Sequence, residues 1–208
     1  MFGLFKKHRT SSDFWMWLAA NASRIRAGGR NATGNFATEI SRAFERSYPD
    51  LVWEITPKES GSWVFCVSAD GNPDLFEKVR TAVAAAPSIP DWKILAFRQR
   101  GSLDAVIEMN GQKLVYNDIW CGVEPDGSRA SVTLYVRGLT SESAKTLLGA
   151  SLVLLDNAVG EHDSVVKISD LDNGPLPANP KRSETFFPLS ELPGYLDRLS
   201  DFIVTEVP

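Results

Sequence analysis

Residues 51–97 read LVWEITPKESGSWVFCVSADGNPDLFEKVRTAVAAAPSIPDWKILAF, and the other segments of the chain are arranged around this stretch. Apolar and polar residues alternate over 51–56 and again over 63–68, which predicts two strands. Turn-forming residues at 58–61 lie between them and make the pair a β-hairpin. Both faces of 63–68 are largely apolar, which is typical of a central strand that is covered on two sides.

A helix and a third strand complete the stretch. Asn72 is suited to cap a helix and Pro73 to occupy its first position, so the helix begins there. Pro87 and Pro90 end it, and the apolar run 92–97 predicts the third strand. The order is therefore strand, strand, helix, strand.

The segment before residue 51 predicts two amphipathic helices, one over 12–27 and one from about Asn35 to residue 47, joined by Gly28-Gly29. Such short helices cannot bury their own apolar faces. We therefore expect this helical hairpin to pack on the sheet.

The segment after residue 97 predicts a further hairpin and then a similar order of elements. Asn110-Gly111 is the strongest hairpin signal in the chain. One apolar face is predicted for the Leu-rich helix that follows, made of Ala144, Leu147, Leu148, Leu152 and Leu155. The predicted elements are strands at 119–123 and 130–137, the Leu-rich helix at 141–156, a strand at 165–168, a surface loop at 171–184 and a last helix at 190–202.

These patterns predict an α+β fold with a mainly antiparallel sheet of about seven or eight strands. Two similarly ordered ββαβ units would build the sheet, with the N-terminal helical hairpin and the C-terminal helix as covers. We expect a single domain over 1–208, divided into a helical hairpin at 1–50, a first unit at 51–109, a second at 110–171, and a loop with the last helix at 172–208.

The charge composition of the chain bears on which partners it can bind. The 208 residues carry a formal net charge of −4 at pH 7, which argues against a dedicated nucleic-acid-binding protein. The charge is uneven, because residues 1–46 hold eight Lys and Arg against three acidic residues. This basic end is either a solvated helix face or a contact for an acidic partner or an anionic surface.

Cysteine and histidine are scarce. Cys66 and Cys121 each lie in an apolar run, and His8 and His162 are the two histidines. We expect free, buried thiols in the cytoplasm and no structural zinc site, because four clustered ligands cannot be assembled. No transmembrane segment is expected, and Asp13 before a short apolar run argues against a signal peptide.

The candidate catalytic residues are Glu161, His162 and Asp163. A His flanked by carboxylates could act as a general base or join them in binding a divalent cation. Adjacent residues of an extended chain point to opposite faces, so the three converge only in an irregular loop. The alternative is an ordinary polar loop between a helix and a strand.

The candidate ligand-binding residues are Trp15, Asn21, Arg24 and Arg98. Asn21 falls in the apolar face of the first helix, so its amide should bond a neighbouring backbone group or bind a ligand. Most of the six tryptophans fit a core role, but one or two could line a groove between the helical hairpin and the sheet. Arg24, Arg26, Arg98 and Arg100 would rim that groove, which would suit an apolar ligand or a peptide with a negative group.

Two further motifs mark a resemblance. The first helix carries Phe-Trp-x-Trp at Phe14 to Trp17, and an Ala-Pro…Trp-Lys-Ile-x-Ala-Phe run extends from Ala86 to Phe97. This layout resembles bacterial cytoplasmic proteins that are known only as a domain of unknown function. The resemblance implies a bacterial cytosolic origin and brings no functional residues with it.

The sequence favours a non-enzymatic binding or protein-interaction protein with a protein partner and no cofactor. The chain is rich in aromatic residues, is acidic, and contains no phosphate-binding, nucleophile-elbow or zinc-protease motif. The alternative hypothesis is a metal-assisted or acid/base enzyme that uses Glu161, His162 and Asp163.

Overall fold

The computed structural model describes residues 12–28 and 32–201, and the chain forms two compact units, residues 1–97 and 98–208. Within the described residues the fold is α+β, with six α-helices and nine strands in three sheets. The expected count of seven or eight strands in one sheet is not confirmed. The prediction of a single domain over 1–208 stays a prediction.

The first unit contains a helical hairpin and a three-stranded sheet. Its elements are α1 (Ser12–Ala27), α2 (Ala32–Ser47), β1 (Val52–Pro57), β2 (Trp63–Ser68), α3 (Phe76–Ala84) and β3 (Trp92–Ala96). The strand order is β1-β2-β3, in which β1 and β2 are antiparallel and β3 is parallel to β2. The predicted helical hairpin and the strand–strand–helix–strand order of 51–97 are both present.

Aromatic rings form the core of the first unit. Phe65 of the central strand β2 lies 5.4 Å from Phe14, 5.6 Å from Trp15 and 5.9 Å from Phe44, measured between ring centroids. All four side chains are almost fully buried. The helical hairpin therefore buries its apolar faces on β2, as the sequence predicts.

The second unit contains a two-stranded hairpin, a four-stranded sheet and three helices. Its elements are β4 (Val106–Met109), β5 (Gln112–Val115), β6 (Ile119–Asp126), β7 (Arg129–Val136), α4 (Ala144–Val159), α5 (Glu161–Lys167), β8 (Ile168–Pro175), β9 (Phe186–Pro188) and α6 (Leu192–Asp201). Strands β4 and β5 form the two-stranded sheet and are antiparallel. The larger sheet has the order β8-β7-β6-β9, with β8 parallel to β7 and the other pairs antiparallel. The C-terminal helix is present.

One face of this larger sheet holds the core of the second unit. Ile119, Cys121 and Leu134 point to that face and pack with residues of α4 and α6 such as Leu154 and Leu196. Alternation along β6 and β7 therefore sends every second side chain to the opposite face.

Two predictions for this unit are wrong. Residues 165–167 end helix α5, and the strand begins at Ile168 and runs to Pro175, through the first part of the expected loop 171–184. The strand tolerates its polar residues because β8 is an edge strand and is largely exposed. In α4, Leu147 and Leu155 of the predicted face are buried, but Leu152 is 48% exposed, and the buried face includes Ala150, Leu154 and Ala158 instead.

Candidate functional site

The predicted catalytic loop is the first turn of helix α5. Gly160 ends α4 with φ 83° and leads directly into α5, which begins at Glu161. A Cβ at Gly160 would lie 3.2 Å from the Arg98 carbonyl oxygen, so only glycine suits both the conformation and the space. The expected polar loop at residues 161–163 is wrong. Gly160 allows α5 to begin directly after α4, so these residues are helical.

Glu161 is fully buried and is held by the backbone of Arg98. The Arg98 N–H donates to Glu161 Oε2 at 3.0 Å, and the Glu161 N–H donates to the Arg98 carbonyl at 2.9 Å. His162, in contrast, has a side chain that is 41% exposed, with Nδ1 at 3.2 Å from Asp163 Oδ1. The burial of Glu161 gives it a structural role in joining residue 98 to α5.

Asp163 belongs to a square of four alternating charges. Arg100 Nη2 lies 2.7 Å from Asp163 and 2.7 Å from Asp197 of α6, and Lys167 Nζ lies 3.1 Å from each of these carboxylates. Burial raises the pKa of Asp163, but hydrogen bonds from His162 and Lys167 outweigh it and leave that pKa below its usual value. Hydrogen bonds from Arg100 hold the pKa of Asp197 far below its usual range.

This charge square links α5 to α6 through Lys167 and Asp197. It also engages the Asp163 carboxylate, which a metal ion would need as a ligand or the enzyme as a general base. Throughout residues 12–28 and 32–201 there is no group of three or more His, Cys, Asp or Glu side chains that could hold a metal ion. The catalytic role of Glu161, His162 and Asp163 stays a prediction.

The candidate ligand residues of the first unit bond to other residues of that unit. Trp15 is 1% exposed, and its indole N–H donates to the Ala82 carbonyl at 2.8 Å. The Asn21 amide donates to the Trp17 carbonyl at 2.8 Å, which is the local bond that the sequence allowed as one alternative. Arg24 pairs with Glu39 at 2.6 Å.

Arg98 belongs to the second unit, where its Nε donates to Asp156 Oδ2 at 2.6 Å. Neither unit by itself brings together the four arginines of the expected groove. That groove stays a prediction. Cys66 and Cys121 are buried and form no disulfide, and burial raises the pKa of the Cys121 thiol well above its usual value.

The outer face of the four-stranded sheet in the second unit has features of a binding surface. Trp120, Tyr135 and Phe186 lie on the sheet face that points away from the core, because they alternate with the core residues of β6, β7 and β9. The Phe186 ring centroid is 5.2 Å from that of Trp120 and 5.3 Å from that of Tyr135. We call these three half-buried side chains the aromatic face.

Two glycines make room for the aromatic face. A Cβ at Gly122 of β6 would lie 2.9 Å from Tyr135 Cε2, and a Cβ at Gly174 of β8 would lie 3.4 Å from Tyr135 Cε1. The tyrosine ring therefore lies between two strands that carry no side chain at those positions. Glycine weakens a strand, so its use on both sides of one ring indicates a requirement for this close approach.

Three carboxylates lie on the same outer face of the sheet, next to the aromatic face. The strand register places Glu124 opposite Ser131, and Asp170 and Asp172 opposite Ser131 and Thr133. The three acidic residues are exposed. The outer face of the sheet thus has an aromatic half and an acidic half.

The aromatic face was not among the sequence predictions, although its signal was present. Trp120, Gly122 and Glu124 alternate with Ile119, Cys121 and Val123, so the strand has one apolar and one mixed face. Sequence periodicity separates the two faces of a strand but does not tell which neighbours cover each face.

No protein-family model, curated protein or solved structure matches the chain. Among the helices of the described residues, none is both long enough and apolar enough to cross a bilayer.

Proposed function

We propose that the protein is a non-enzymatic binding protein that docks a partner protein on the outer face of its four-stranded sheet. The supporting observation is the contact of Trp120, Tyr135 and Phe186 on a face that lies opposite the helix-covered core. Trp and Tyr dominate binding energy at protein interfaces because they bury a large apolar area with little loss of side-chain freedom.

The partner is a protein with a basic surface. Glu124, Asp170 and Asp172 are exposed on the same face, and the chain as a whole is acidic. Complementary charge steers association and selects among partners, while the aromatic half supplies the apolar contact. Binding should therefore weaken as salt is added.

Affinity capture with matched variants tests this function. Immobilised wild-type protein, F186A and L152A are incubated with lysate of the source cells, after circular dichroism confirms that each variant is folded. Leu152 is an exposed apolar residue of α4 and serves as the control. We expect a basic protein that wild type and L152A retain and F186A loses. Identical captured proteins for all three would contradict the proposal.

The enzyme hypothesis makes an opposite prediction. A divalent cation bound at Glu161, His162 and Asp163 would stabilise the protein by about 2.7 kcal/mol at 100 times its dissociation constant. A thermal-shift panel of Mg²⁺, Mn²⁺, Ca²⁺ and Zn²⁺ measures this for wild type and H162A. The binding function predicts no shift, whereas a shift that H162A removes would support the enzyme.

We also propose that the two sheets are copies of one ββαβ unit. The support is their shared pairing, because β1–β2 and β6–β7 are antiparallel, while β2–β3 and β7–β8 are parallel across a helical connection. Superposition of the two sets of strands and helices in a crystal structure tests the repeat, and crossovers of opposite hand would contradict it.

The resemblance and the two cysteines, Cys66 and Cys121, which form no disulfide, support a location in a bacterial cytoplasm, where thiols stay reduced. Fractionation of the source cells tests this location, and recovery from a periplasmic or secreted fraction would contradict it.

A further inference from the structure

A cavity of about 400 Å³ opens in the first unit beside the end of α2 and one side of α3. Its lining includes Tyr48, Pro49, Leu51 and Ala82, with Asp50 and Lys78 at the rim. Cavities of roughly 300–1,000 Å³ with an apolar lining and a few polar groups are the usual sites of small ligands. The cavity is therefore of a size for one small molecule.

The floor of the cavity is apolar and fixed. Tyr48, Leu51 and Ala82 are all at least nine-tenths buried, and the Tyr48 ring packs against Phe44 at 5.2 Å between centroids. The Tyr48 N–H donates to the Phe44 carbonyl at 2.8 Å, and the Leu51 N–H donates to the Tyr48 carbonyl at 3.2 Å. A ligand would thus meet a preformed surface.

The rim presents one carboxylate beside one ammonium group. Lys78 Nζ lies 2.7 Å from Asp50 Oδ2, and the two side chains are 58% and 55% exposed. An exposed pair of this kind contributes little to stability, so a ligand separates it at little cost. The other acidic residue of the lining, Glu77, is held by Arg80 at 2.7 Å.

We propose that this cavity binds a free α-amino acid with an apolar side chain. The ammonium group of the amino acid replaces Lys78 on Asp50, and its carboxylate replaces Asp50 on Lys78. Its side chain covers Pro49 and the accessible edges of Tyr48 and Leu51. A single ligand with both charges on adjacent groups satisfies both partners of the opened pair, whereas a singly charged ligand leaves one of them unpaired. This site lies within the first unit and does not depend on the partner-binding function.

Isothermal titration calorimetry of the full chain with L-phenylalanine and L-leucine tests the site. We expect saturable binding to wild type and a loss of at least tenfold in affinity for D50N and for K78M. The matched control is K93M, which removes an exposed lysine of β3 in the same unit and should bind as wild type does. N-Acetyl-L-phenylalanine amide, which lacks both charges, and glycine, which lacks the apolar side chain, should each bind at least tenfold more weakly.

The substitutions change exposed residues, so the variants should fold, and circular dichroism checks that they do. The proposal is overturned if neither amino acid gives saturable binding at millimolar concentration. It is equally overturned if D50N and K78M bind as wild type does, or if the uncharged amide binds as tightly as L-phenylalanine.

Discussion

Arg98 and Glu161, which are 63 positions apart in the sequence, exchange two hydrogen bonds. The Glu161 carboxylate accepts from the Arg98 N–H, and the Glu161 N–H donates to the Arg98 carbonyl. The side chain of Glu161 thereby satisfies a backbone group at the start of the second unit. A buried carboxylate in this position organises the chain and needs no catalytic explanation.

Replacing Glu161 tests that structural role. We expect E161A to lose about 1–3 kcal/mol of unfolding free energy, because the Arg98 N–H loses its acceptor. E161Q keeps an acceptor oxygen and should lose less. Urea unfolding followed by circular dichroism measures both variants. If E161A is as stable as wild type, the hydrogen bond from the Arg98 N–H to Glu161 contributes nothing to the free energy of unfolding.

The close approach of Tyr135 to Gly122 predicts an energetic coupling between these residues. G122A should destabilise the protein by about 1 kcal/mol or more, since the added Cβ meets the tyrosine ring. In Y135A the same glycine change should cost much less, because the obstructing ring is gone. A double-mutant cycle by urea unfolding gives the coupling energy. Equal costs of the glycine change in the two backgrounds would contradict this arrangement.

Two buried tryptophans of the first unit provide a matched pair. The indole N–H of Trp15 donates to the Ala82 carbonyl, whereas Trp92 Nε1 has no hydrogen-bond partner among the described residues. We expect W15F to lose about 1–3 kcal/mol more than W92F, because only W15F removes a buried hydrogen bond. Thermal and urea unfolding measure both, and the prediction is wrong if W92F is the less stable variant.

The charge square predicts a pH dependence of stability. The pKa of Asp197 is lower in the folded protein than its ordinary value of about 3.9, so ionised Asp197 favours the folded state. This contribution is complete above that ordinary pKa and is lost as the pH falls through the lower folded-state pKa.

We therefore expect D197N to be less stable than wild type at pH 7, by up to about 1 kcal/mol after allowance for the exposure of this pair. The difference should shrink as the pH falls below about 4. Urea unfolding at pH 7 and in acid measures it, and high salt should also reduce it. A difference that is the same at both pH values would rule out this linkage.

Local signals in the sequence predicted the elements that do not depend on distant partners. Asn110-Gly111 forms the expected hairpin turn with φ of 51° and 74°. Asn72 caps the 3₁₀ turn Pro73–Leu75, which leads directly into α3, by accepting the Asp74 N–H at 3.0 Å. Apolar periodicity identified α1, in which Phe14, Trp15 and Leu18 are buried. Such features are set by residues a few positions apart, so the sequence displays them directly.

The predictions failed where long-range packing decides the secondary structure of a segment or the buried face of a helix. Val165 and Val166 suit a strand, but the helix start at Glu161 places them in α5. Leu152 matches the apolar period of α4 but is exposed, whereas Leu147 and Leu155 of the same predicted face are buried. In both cases tertiary contacts outweigh a local preference of a few tenths of a kcal/mol per residue.

The sequence by itself determined the α+β class, the helical hairpin and the order of elements along residues 51–97, because turn, cap and alternation signals act locally. Only the tertiary structure decided that Glu161 is buried against Arg98 and that Trp120, Tyr135 and Phe186 meet on one sheet face. These contacts join residues that lie far apart in the chain, and burial depends on what covers each face. No local pattern in the sequence contains that information.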